Sequence, residues 1–90
     1  MYQITKTNTF KKCVKNYENN DKVIDRLKEI FADLIQGKSL LGTYKDHPLK
    51  GNFMGFRECH IFPNILLIYK INETEKLITL SYIGSHSDLF

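Results

Sequence analysis

Residues 21–37 read DKVIDRLKEIFADLIQG, and the fold turns on that stretch. Val23, Ile24, Leu27, Ile30, Phe31, Leu34 and Ile35 fall at i, i+1, i+4, i+7, i+8, i+11 and i+12. They make one broad apolar stripe at the helical period of about 3.6 residues. Gly37 stands where a left-handed residue stops such a helix, so a helix is predicted from about Asp21 to Gln36. Upstream, Phe10, Cys13, Val14 and Tyr17 recur at the same spacing, with Lys11, Lys12 and Lys15 between them. They predict a shorter amphipathic helix ending at Asn19-Asn20, its first turn capped by the side-chain oxygen of Thr7, Asn8 or Thr9. Before it, Tyr2 and Ile4 alternate as in a short strand.

Downstream the period changes. From Gly37 to Gly51 it vanishes, broken by Gly42 and Pro48 and made polar by Lys38, Ser39, Thr43, Lys45, Asp46, His47 and Lys50. Long ordered loops of this kind are often functional. Asn52 to Ile61 alternates bulky with small or polar residues, Pro63-Asn64 punctuates, and Ile65 to Ile71 reads as a buried strand. Asn72-Glu73-Thr74-Glu75 is a polar turn, and Leu77 to Ile83 a third strand. The order β-α-α-β-β-β predicts an α+β fold, two N-terminal helices packed on one face of an antiparallel sheet, with the first strand pairing at one side.

The chain has 90 residues, 42% hydrophobic and 26% charged, which fits a single domain over 1–90. A domain of this size buries about 60–65% of its unfolded surface, so a site is expected on the surface or in a shallow groove. The longest apolar run, Ile65 to Tyr69, is far short of the ~20 residues a bilayer span needs. The N-terminus carries no apolar signal-like run, so a cytoplasmic chain without membrane association is expected. Thirteen basic against 10 acidic residues give a net charge of +3, compatible with a polyanionic partner if the positive groups gather on one face. Cys13 and Cys59 form no disulfide framework and read as reduced, partly buried thiols.

His47 lies in the long loop, His60 ends the first strand of the meander, and His86 follows Gly84-Ser85. Each alone reads as a surface or edge histidine, but the ends of a meander can also bring such segments to one concave end of the sheet. No His-x3-His or Cys-x2-Cys pair offers local metal ligands. Around the histidines lie Lys45, Lys50 and Arg57, with Tyr44, Phe53, Phe56, Tyr69, Tyr82 and Phe90. Such basic and aromatic groups hold phosphates and stack bases, although aromatics on strands also fill cores.

Four blocks then stand out together: Tyr44-Lys45-Asp46-His47-Pro48-Leu49 with Gly51; Gly55-Phe56-Arg57-Glu58-Cys59-His60; Leu66-Leu67-Ile68-Tyr69-Lys70; and Gly84-Ser85-His86-Ser87-Asp88-Leu89-Phe90. In this order they resemble the YafQ-like toxins of the RelE/ParE superfamily of bacterial toxin–antitoxin modules. The resemblance implies a RelE-like α+β fold. It also implies an endoribonuclease, independent of metal or other cofactor, that cuts messenger RNA, commonly in the ribosomal A site. A cognate antitoxin, expected to be acidic and partly disordered, would neutralise it. The family's catalytic histidines fall on His47, His60 and His86, and its functional C-terminal Phe on Phe90. Family members often carry Asp where this chain has Asn64, which still hydrogen-bonds RNA but cannot act as a base; Asp88 or Glu58 is then the alternative acid.

The chemistery fits independently of the likeness. RNA is cut when its 2′-hydroxyl attacks the adjacent phosphorus, which needs a base, an acid and a cation near the crowded phosphorus. Imidazoles titrate near neutral pH and suit the first two tasks. Arg57, with Lys45 or Lys50, is expected to stabilise the developing charge, His86 to be one proton-transfer partner, and His60 or His47 the other. Phe90 is expected to stack on a base or hold His86. The rival readings are a superfamily member acting on a gyrase-like protein, or a binding module whose nuclease activity has decayed.

Overall fold

The computed structural model describes residues 1–89; Phe90 lies outside the described residues. After strand β1 (Gln3–Lys6), Thr7 caps helix α1 (Asn8–Val14): its Oγ1 accepts from the Phe10 amide at 3.0 Å, and its hydroxyl donates to the Ser81 carbonyl at 3.1 Å. The first helix is thus tied at its start to the last strand. The predicted run to Tyr17 divides into α1 and a 3-10 turn, Lys15–Tyr17.

Helix α2 (Asp21–Ile35) begins where the Oδ1 of Asn20 accepts from the Val23 amide at 3.3 Å. It ends in a Schellman turn. Gly37 takes φ +70°, its amide donates to Leu34 at 3.0 Å, and the Lys38 amide donates to Asp33 at 2.9 Å. Val23, Leu27, Ile30 and Leu34 are buried, with Ile24, Phe31 and Ile35 on the flank of the stripe.

Five strands form one sheet in the order β1-β5-β4-β3-β2. β2 is His47–Pro48, β3 Arg57–Phe62, β4 Ile65–Asn72 and β5 Leu77–Gly84. The meander β3-β4-β5 is antiparallel as expected. β1, however, runs parallel to β5, so the sheet is mixed rather than antiparallel throughout. The first meander strand starts at Arg57, not Asn52, because residues 51–53 form a 3-10 turn and Gly55 turns the chain at φ +94°. The long loop contains the two-residue strand β2 on the sheet edge, and a short helix α3 (His86–Leu89) follows β5. Neither β2 nor α3 was expected.

Phe10, the buried α2 residues, Cys59, Ile61, Leu67, Tyr69, Ile78, Leu80 and Ile83 form one core between the helices and one sheet face. Strand side chains alternate between faces. With Cys59 and Ile61 in that core, Glu58 and His60 stand on the opposite face, and that parity places the site. Among the described residues no helix is long and apolar enough to cross a membrane.

Candidate functional site

Glu58 pairs in register with His47 across β2–β3, so both side chains share the face that lacks helices. His60, two residues on, joins them. β4 carries the register further, from His60 to Leu66 and from Leu66 to Gly84. The end of β5, and with it His86, therefore arrives beside His60.

Ser85 and Asp88 fix that last turn reciprocally. The Asp88 amide donates to Ser85 Oγ at 3.2 Å, and the Ser85 amide donates to Asp88 Oδ2 at 3.4 Å. This is a capping box with His86 at the first helical position. Its Ser-x-x-Asp spacing was visible in the sequence. Asp88 is thus engaged in the cap, which leaves Glu58 as the acid at the imidazoles. Gly84 stands just before it, where a Cβ would meet the Tyr82 hydroxyl and require that ring to shift.

Three imidazoles from three separate segments converge on one carboxylate. Glu58 Oε1 lies 3.2 Å from His60 Nε2, 3.6 Å from His47 Nε2 and 3.7 Å from His86 Nε2. Ring centres are 6.3 Å apart for His47 and His60, and 5.9 Å for His60 and His86. Glu58 is 3% exposed, the one buried charged side chain among the described residues. A buried carboxylate is costly unless donors or cations surround it, and these ring nitrogens do. All three are close imidazole–carboxylate pairs, with His60 the nearest. The side chains of His47 and His86 are 47% and 54% exposed, that of His60 only 19%. Carboxylate and His60 make a floor, and the other two rings a rim.

The His47 ring is oriented by a second contact. Its Nδ1 lies 2.6 Å from the Lys45 carbonyl, which can only accept, so Nδ1 carries the proton and Nε2 is the atom left to exchange one. Lys45 itself turns the loop at φ 50°.

Arg57 is not beside the imidazoles. Odd-numbered β3 residues face the helices, so its guanidinium lies behind the sheet, where Nε and Nη2 bond the Asp46 carboxylate at 3.3 and 3.1 Å. The Tyr69 hydroxyl donates to the same carboxylate at 2.5 Å. This clamp grips the residue next to His47. The hydrogen bonds to Asp46 hold the Arg57 guanidinium charged more firmly than usual, and burial pushes the Tyr69 phenol up.

Lys45 is exposed next to His60, across a shallow hollow. Lys50 and Asn64 are exposed as well. The expected role of Phe90 falls outside the described residues. Cys59 is fully buried and its thiol is pushed up to about 12 by desolvation, which suits packing rather than nucleophilic attack. Glu58, named in the sequence only as an alternative acid, is central. The signal for it was its place two residues before His60 on a strand.

The chain is similar to known proteins over its whole length. The family model of the bacterial toxin of type II toxin–antitoxin systems, YafQ, matches residues 2–90. The mRNA interferase toxin YafQ of Escherichia coli (strain K12) is 38% identical over 82 residues, covering 90% of this chain and 87% of that protein. A metal-bound toxin from Helicobacter pylori superposes with a TM-score of 0.91 at 39% identity, over 100% of both chains. The YafQ chain of the E. coli DinJ–YafQ complex gives 0.86 at 34% identity, over 100% of this chain and 99% of that one.

Proposed function

The chain belongs to the YafQ family of toxins from type II toxin–antitoxin systems, and from that membership we propose a mechanism in which its imidazole cluster cuts messenger RNA. It is an mRNA interferase, an endoribonuclease whose activity a cognate antitoxin restrains, as the DinJ–YafQ complex of a relative indicates. The observation that carries the mechanism is the convergence of His47, His60 and His86 on Glu58.

His47 and His86, on the rim, reach the substrate. One takes the proton of the 2′-hydroxyl as it attacks phosphorus, and the other protonates the departing 5′-oxygen. Each positioned transfer is worth about 10²–10⁴-fold in rate. Lys45, exposed beside His60, supplies positive charge next to the crowded phosphorus, and His60, nearest the buried carboxylate, forms the floor beneath it. Arg57 works from behind the sheet: through Asp46 it holds the loop that presents His47. Lys50, Asn64 and Phe90 contribute contacts to the RNA strand. The site acts in the cytoplasm on messenger RNA held by the ribosome, and an acidic antitoxin closes it.

The test is a gel of RNA incubated with the protein in EDTA, both free and on translating ribosomes. Fragments that persist with the chelator and disappear in His86→Ala and His47→Ala support the mechanism. Intact RNA under every condition moves the assignment to a binding module; cleavage that stops in EDTA makes the chemistry metal-dependent.

A further inference from the structure

Beyond the imidazoles lies a second feature, a hollow of about 150 Å³ bounded by Arg26, Thr43, Lys45, His60 and Phe62. We infer that it is a subsite for the phosphate of a neighbouring nucleotide of the bound RNA strand, held by Arg26 with Lys45; the inference rests on the nuclease reading above.

Arg26 projects from α2 and is preset. Its Nη1 donates to the Ile61 carbonyl at 2.8 Å, and its guanidinium carbon sits 4.0 Å over the Phe62 ring. Those contacts occupy one face and one donor of a planar fork whose remaining donors match a phosphate. Among the described residues Arg26 forms no ion pair, whereas Arg57 is committed to Asp46. An exposed guanidinium held in place without a carboxylate is ready for an external anion, since little side-chain freedom is left to lose on binding.

The hollow also borders the chemistry on both sides. His60 is at once its wall and the imidazole nearest Glu58, at 3.2 Å. Lys45 lines it with its side chain while its carbonyl orients the His47 ring. A strand whose scissile phosphate lies over the imidazoles therefore runs its next phosphate past Arg26 and Lys45. The volume of about 150 Å³ has room for a phosphate with its solvation waters.

A 2′-O-methyl RNA oligonucleotide, which cannot be cut through its 2′-hydroxyl, separates binding from cleavage. Its affinity is measured by fluorescence polarisation across a range of salt for the wild-type protein, Arg26→Gln, Arg26→Lys and, as a charge control on another element, Lys11→Ala. Thermal unfolding checks that each variant is folded; Arg26→Gln keeps most of the stem over Phe62. The expected result is a loss of about tenfold for Arg26→Gln, equal across oligonucleotide sequences because phosphates carry no base information. The slope of log affinity against log salt should fall by about 0.7, the increment for one single-strand phosphate. Arg26→Lys should lose less, and Lys11→Ala should change little.

Unchanged affinity in Arg26→Gln, an equal effect of Lys11→Ala, or a sequence-dependent loss overturns the subsite. So does a variant that binds RNA normally and only loses its antitoxin. If unmodified RNA is still cut while oligonucleotide binding ignores Arg26, the subsite alone fails. If no RNA is cut while binding depends on Arg26, the nuclease mechanism alone fails.

Discussion

At the scale of single residues, the site depends on two carboxylates on opposite faces of one sheet. Glu58 gathers the imidazoles, while Asp46, gripped by Arg57 and Tyr69, fixes the backbone that carries His47. Asp46→Asn should therefore lower kcat for RNA cleavage at least tenfold while the other two histidines keep their NMR ring signals; an unchanged rate removes the clamp from the account. Arg57→Lys should do the same, because an ammonium cannot make the paired contacts of the fork. His86→Ala and His47→Ala should each cost about 10²–10⁴-fold.

Cys59 makes a different prediction. Its thiol ionises near pH 9 in the unfolded chain and only near 12 when folded. Between those values the unfolded state releases a proton that the native state retains, so the thiol's contribution to stability is constant below pH 9 and falls between 9 and 12, by up to about 1.4 kcal/mol per pH unit. Urea midpoints measured from pH 8 to 11 should show that fall, and it should be shallower in Cys59→Ala.

At the scale of elements, α2 anchors the core and α3 aims His86. Leu27→Ala removes a buried side chain from the stripe and should cost about 2–5 kcal/mol in chemical denaturation. Ser85→Ala removes half of the capping box at the sheet's end; about 1 kcal/mol of stability and a larger loss of cleavage are expected, since His86 is the residue it seats. A variant as active as the wild type would mean that the turn does not position the ring.

These elements also show what could be read in advance. The α2 stripe and Gly37 stop are written in local periodicity and were legible, as was the meander with its polar turn. β2 was not, because two residues carry no period; they become a strand only through pairing with β3. Arg57 and His60 stand three apart on one strand, so period-two alternation already sends them to opposite faces; that parity was legible, and the expectation that grouped them at one site overlooked it. The histidines were legible as candidates by type and position, but their meeting on Glu58 needed the register of three strand pairs.

At the scale of the whole molecule, a net charge of +3 on 90 residues makes association with polyanions sensitive to salt. Antitoxin affinity measured between about 50 and 500 mM salt should weaken as salt rises; an affinity indifferent to salt would count against a charge-driven contact. The most direct measurement is the chemical nature of the ends made when the wild-type protein cuts an oligonucleotide in EDTA, compared with the same oligonucleotide lacking the 2′-hydroxyl at the scissile nucleotide. The expected products are a 2′,3′-cyclic phosphate on the upstream fragment and no cutting of the deoxy-substituted strand. A 5′-phosphate on the downstream fragment, or equal cutting of both strands, would contradict it.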